Sequence, residues 1–123
     1  MEAAKPCCLV AERDPGTGNL LRGEVEAAGY VCAGPFVSCD EALSDLDQHE
    51  VQAAILDATP GDGSSLRLAE TLRQRGATFL IYSDQPRGPE TPAAFAGVPW
   101  LERPQCLEDL RQALRHLSTL VPA

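Results

Sequence analysis

Residues 52–83 read "QAAILDATPGDGSSLRLAETLRQRGATFLIYS", and this stretch decides the fold. "QAAILDA" (52–58) is an apolar run without polar alternation, the pattern of a strand covered on both faces. Its carboxyl end carries Asp57. A Gly/Pro loop, "TPGDG" (59–63), follows. Ser64 or Ser65 then caps a helix bearing Leu66, Leu68, Ala69 and Leu72, and Gly76 ends it. "TFLIYS" (78–83) is another strand. Strand, helix and strand in this order make one parallel crossover unit.

The same alternation extends both ways along the chain. Upstream, "CCLVAE" (7–12) is a short apolar strand. Residues 15 to 28 place Leu20, Leu21, Val25 and Ala28 at helical spacing, opened by Pro15 and closed by Gly29. "YVCAG" (30–34) reads as a strand ended by Gly34-Pro35, and Asp40 is placed to cap a helix carrying Ala42, Leu43 and Leu46. Downstream, "DQPRGPETPAAFAGVP" (84–99) holds Pro86, Pro89, Pro92 and Pro99. Any helix there is short, centred on "AAFA" (93–96). "VPWLE" (98–102) is a fifth strand. "CLEDLRQALRHL" (106–117) closes the pattern with Leu107, Leu110, Leu114 and Leu117 in one stripe.

Five strands alternating with helices predict an α/β domain with a flavodoxin-like, doubly wound, five-stranded parallel sheet. Its fourth helix region is shortened and Pro-rich. A chain of 123 residues has the length of one domain, spanning 1–123. The Met start and weak tail lead us to expect a complete, free-standing chain. Ligands of such folds bind at the carboxyl ends of the strands. Those ends are Glu12-Arg13-Asp14, Asp57, Ser83 and Arg103-Pro104.

Composition narrows the function. An apolar fraction of 44% and a charged fraction of 23% are those of a soluble globular protein. No apolar run approaches the ~20 residues of a membrane span, and "MEAAKPCC" is not a signal peptide, so the cytoplasm is the expected location. The formal charge is −8 and no block of Lys or Arg occurs, which argues against nucleic acid and anionic membrane surfaces. Proteins or small ligands are the expected partners. Cys7, Cys8, Cys32, Cys39 and Cys106 do not fall at zinc spacings, and Cys7 and Cys8 point to opposite faces of one strand. We expect reduced, mostly buried thiols. His49 and His116 have no cysteine or acid partners at ligand spacing and read as structural.

Enzyme motifs are missing. The glycines of "DPGTGNLLRG" (14–23) are misplaced for a dinucleotide fingerprint, there is no GxxxxGK[ST] phosphate loop, and no nucleophile elbow or Cys–His pair occurs. The chain is not expected to be an enzyme.

Five places in the sequence resemble the receiver domain of bacterial response regulators, the CheY-like family, over essentially the whole length. "VAERDP" (10–15) stands at the family's acidic pair after the first strand. "AAILDATPGDGSS" (53–65) is similar to its aspartate-ended third strand and loop. Ser83 occupies the small hydroxyl position, Trp100 the aromatic switch position, and "ERP" (102–104) the lysine-proline position. "AGYVCAGPFVSCDEAL" (28–43) also looks like the second strand and helix of many single-domain regulators.

The resemblance implies that Asp57 accepts a phosphoryl group from a histidine kinase or phosphotransfer protein and that an unknown downstream protein reads the result. It implies Mg²⁺ held by Glu12, Asp57 and the backbone carbonyl of Thr59, which neutralises charge between an anionic nucleophile and an anionic donor. Ser83 and Arg103 would each hold a phosphoryl oxygen. Trp100 would turn inward or outward as Ser83 follows the phosphoryl group, or else serve as a half-buried core aromatic.

Two departures stand out. Arg13 falls on the second acid of the pair, a swing of two charges beside the ion. Unit charges ~4 Å apart interact by about 4 kcal/mol at an effective dielectric near 20, enough to weaken a divalent site. Arg103 replaces lysine with a bulkier planar fork. Three readings of Arg13 stay open. It pairs with Asp57 in place of the metal and leaves a degenerate pseudo-receiver. It swings outward while Glu12, Asp14 and Asp57 hold a weaker ion. Or it is a solvated loop residue.

Overall fold

The computed structural model describes residues 5–57, 65–83, 93–102 and 107–120. The loop residues Thr59–Ser64, the proline-rich 84–92 and Arg103, Pro104 and Cys106 lie outside them. Five strands form one sheet: β1 (Cys7–Ala11), β2 (Val31–Phe36), β3 (Ala53–Leu56), β4 (Thr78–Ser83) and β5 (Trp100–Glu102). Their order is β2-β1-β3-β4-β5 and every pairing is parallel. The helices are α1 (Pro15–Ala27), α2 (Cys39–Leu46), α3 (Leu66–Gln74) and α4 (Leu107–Leu120). This is the doubly wound α/β architecture that the alternation predicts. In the fourth crossover, Ala93–Phe95 form a single 3-10 turn.

Alternation along the strands sorts the core into two layers. Leu9, Ala11, Ala54, Leu56, Phe79 and Ile81 face α2 and α3, where they meet Ala42, Leu46, Leu68 and Leu72. Cys8, Val10, Ala53, Ile55, Leu80 and Tyr82 face α1 and α4, meeting Leu21, Val25, Leu110, Leu114 and Leu117. A fully buried leucine contributes about 1.5–3 kcal/mol, so these layers, and not the polar groups at the strand ends, hold the sheet together. Cys7 packs with the first layer and Cys8 with the second, on opposite faces as expected. The four described cysteines are free thiols.

Four local expectations need correction. The second strand does not stop at Gly34-Pro35 but runs on to Phe36. It does so across a bulge, since Leu9 pairs with Ala33 and Ala11 with Phe36. As an edge strand, β2 tolerates a proline that donates no ladder bond. The cap of α2 is Ser38, whose hydroxyl accepts from the Glu41 amide at 3.2 Å, and Asp40 sits in the first turn. Leu20 turns to solvent, leaving Leu21 and Val25 to bury α1. His49 does have an acid partner, its Nδ1 lying 3.0 Å from Asp45 Oδ1 one turn back on α2.

Gly18 brings α1 against the end of β2. A Cβ there would lie 2.9 Å from Pro35 Cβ, so only glycine permits this approach.

Candidate functional site

Four polar or charged residues are buried among those described: Glu12, Asp57, Ser65 and Ser83. Three of them follow or end neighbouring strands. Ala11 and Leu56 are register partners in the β1–β3 ladder, so the residues after them, Glu12 and Asp57, emerge side by side. Backbone bonds fix both. The Asp57 amide donates to the Ala11 carbonyl at 2.8 Å, and the Glu12 amide donates to Phe36 of β2 at 2.8 Å. Leu56 also pairs with Ile81, which places Ser83 at the end of β4, one residue beyond the level of Asp57.

The three residues between β1 and α1 divide their work. Glu12 turns inward, and its Oε1 accepts from the Asp14 amide at 3.1 Å. Asp14 caps α1, its Oδ2 accepting from the Thr17 amide at 2.9 Å and the Thr17 hydroxyl at 2.6 Å. Pro15 follows at the first helical position, where its missing N–H costs nothing. Arg13 reaches across to β3. Its Nε lies 3.5 Å from Asp57 Oδ2, with the Arg13 side chain 44% exposed and that of Asp57 fully buried. A buried carboxylate is costly unless an opposite charge compensates it, and the guanidinium does so here. Of the three readings of Arg13, the ion pair with Asp57 is the one present.

Trp100 is half-buried and lies in register with Ile81 on β5. Its ring meets Phe95 edge-on, with centroids 6.0 Å apart at 84°. Glu102 is the partner of Ser83, so Trp100 sits on the same face about 7 Å back along the strand. Ser65 is buried at the entry to α3. The sequence pointed to it only as a cap, because nothing in "DGSSL" distinguishes a buried serine from an exposed one. Thr59 and Arg103, expected to contribute a carbonyl and a cation, lie outside the described residues.

The described part of the pocket offers a divalent cation two buried carboxylates, Glu12 and Asp57. Such ions take several hard oxygen ligands. Among the described residues no group of three or more His, Cys, Asp or Glu side chains is placed to hold a metal. Asp14 is committed to its helix, and the Arg13 guanidinium lies against the Asp57 oxygen that a cation would need.

No protein-family model and no protein of curated function matches the sequence. Solved structures do. The non-phosphorylated receiver domain of HemR from Leptospira biflexa superposes with a TM-score of 0.83 at 24% identity, covering 97% of this chain and 98% of that one. TrrA of Thermotoga maritima, in complex with Mg²⁺ and beryllofluoride, gives 0.75 at 18% identity, covering 91% and 98%. A Burkholderia pseudomallei response regulator with a phosphorylated aspartic acid, a calcium ion and citrate gives 0.75 at 21%, covering 94% and 70%. With its 2-1-3-4-5 parallel sheet and its acids at the strand ends, the chain has the fold of the CheY-like receiver domains of response regulators.

Proposed function

We propose that this chain is a two-component receiver in which Asp57 accepts a phosphoryl group from a histidine kinase or phosphotransfer protein. The observation that carries the reading is the buried Asp57 carboxylate at the end of β3, flanked by Glu12 and Ser83 on the adjoining strands. The Ala11 bond holds its backbone, so the nucleophile is positioned before a donor arrives. Ser83 would hydrogen-bond one phosphoryl oxygen and Arg103 would pair with another. Relatives in fold that carry Mg²⁺ with beryllofluoride, or calcium with a phosphorylated aspartate, support this end of the sheet as the place where phosphoryl and positive charge meet. On this reading the chemistry is confined to the chain's own phosphorylation by a donor and its later hydrolysis. The output passes through contacts with a downstream protein. A formal charge of −8 favours protein over nucleic acid or membrane as that partner, and we place the chain in the cytoplasm.

The Arg13–Asp57 ion pair favours a second reading, a pseudo-receiver locked in one conformation that acts by binding alone. One experiment separates the two. Incubate the protein with a labelled small phosphodonor, or with a phosphorylated partner, across metal conditions, and compare Asp57→Asn. Label that disappears in the variant supports the first reading. No label under any metal condition leaves only the second.

A further inference from the structure

We propose that this pocket takes its phosphoryl group without a divalent cation, Arg13 supplying from within the chain the charge that an ion would bring. The inference rests on Asp57 being the phosphoacceptor.

Charge comes first. Glu12, Arg13 and Asp57 together carry a single net negative charge. Three carboxylates around one divalent ion carry the same. An incoming phosphoryl dianion therefore meets a comparable field with no ion added. A divalent ion placed beside the guanidinium would be repelled by it. Asp14, the remaining acid of the turn, keeps its charge, but its Oδ2 is turned to the Thr17 amide and hydroxyl as a helix cap.

Geometry agrees. The 3.5 Å separation of Arg13 Nε from Asp57 Oδ2 is longer than the ~2.8 Å of a tight charge-assisted bond. The guanidinium is thus not locked to Asp57 Oδ2 by a tight bond and can turn towards a phosphoryl oxygen. It approaches from the solvent side, where a donor must enter, while Asp57 stays buried. Its planar fork suits two phosphoryl oxygens at once, and arginine stabilises developing charge in phosphoryl transfer as a metal does. With acetyl phosphate as donor, an Asp57 oxygen forms the bond to phosphorus while the bond from phosphorus to the acetyl oxygen breaks. Acetate leaves with the electron pair, and no proton is transferred.

The test uses the full chain, labelled acetyl phosphate, and EDTA or Mg²⁺. Mn²⁺ binding by electron paramagnetic resonance gives a second readout that needs no phosphorylation. The wild-type protein is expected to label at the same rate in EDTA as in Mg²⁺. Arg13→Asp is expected to bind Mn²⁺ at least about tenfold more tightly and to label only with a divalent ion. Arg13→Gln removes the charge without adding a ligand, and should lose labelling in EDTA while gaining no tight Mn²⁺ site. Wild-type labelling that stops in EDTA overturns the inference and leaves the phosphoacceptor reading intact. Wild-type Mn²⁺ binding as tight as that of Arg13→Asp does the same. If no protein labels under any condition, from acetyl phosphate or from a phosphorylated partner, the phosphoacceptor reading falls and the inference falls with it.

Discussion

The amide of Glu12 donates to the carbonyl of Phe36 at 2.8 Å, and the bond forms because β2 takes one residue more than β1 to reach it. Gly34 absorbs the extra residue at φ +101°. A Cβ there would stand 2.8 Å from both the Val10 carbonyl oxygen and the Phe36 amide nitrogen. The bulge thus sets where β1 ends and where Glu12 turns inward.

Gly34→Ala is expected to destabilise the protein by about 2–3 kcal/mol, from left-handed strain and backbone contact together. Urea unfolding should show a lower midpoint at unchanged slope. Neither clashing atom belongs to a side chain that can swing away. A cost under about 0.5 kcal/mol, the level of an ordinary surface change, would mean that β2 pairs with β1 without this bulge.

Asp14 is a helix cap, and its substitutions should behave accordingly. Asp14→Ala is expected to cost about 1 kcal/mol, whereas Asp14→Asn, with an equally good capping oxygen, should cost little. Mn²⁺ binding by Arg13→Asp should be unchanged when Asp14→Asn is added. An Asp14→Asn change that leaves stability intact but abolishes that binding would make Asp14 a ligand instead.

Much of this site was legible because strand period and strand order are local and cumulative. Buried parallel strands show as apolar runs, and the residues that follow them, Glu12 and Asp57, are then brought together by topology alone. What escaped depends on partners distant in sequence. Gly34-Pro35 has the look of a strand end, and only its place on an edge, beside β1, lets the strand continue. Ser38 and Asp40 are both good caps, and the choice between them follows from how the chain leaves β2. Arg13 stood among three carboxylates at Glu12, Asp14 and Asp57. Its preference for Asp57 appears only once Asp14 is drawn to Thr17 and Glu12 is bonded to the Asp14 amide.

The cysteines of the β1–β2 ladder should make the protein sensitive to alkali. Cys8 and Cys32 are register partners, and burial, the largest cause, pushes the Cys32 thiol from 9.0 up to about 11. Burial raises Cys8 as well. A thiol whose pKa is raised by folding contributes stability that is fully present below its unfolded value. That contribution is lost as pH rises through the folded value. Stability should therefore fall between about pH 9 and pH 11, and Cys32→Ser should flatten that slope. Alkylation of Cys32 should still be accelerating above pH 9, because the thiolate is the nucleophile. A rate that levels off near pH 9 would show an ordinary thiol.

Arg73 ties the fourth crossover to α3. Its Nε and Nη2 donate to the carbonyls of Ala94 and Ala96, and its guanidinium lies 5.9 Å from the Phe79 ring centroid. These carbonyls flank Phe95, whose ring meets Trp100, so the clamp reaches the aromatic of β5 through a single contact. Arg73→Lys keeps the charge but cannot bond both carbonyls in one plane. Its expected cost to global stability is small, about 1 kcal/mol, because the side chain is solvent-exposed. The local effect should be larger. Amide exchange at Ala96–Val98 should quicken, while amides of β1 and β3 keep their protection. Emission from Trp100, the single tryptophan, should move to longer wavelength as Phe95 loosens. Phe95→Leu should reproduce the emission change with Arg73 intact. If exchange and emission in Arg73→Lys match the wild type, the turn is held by Phe95 packing alone and the guanidinium contributes nothing to it.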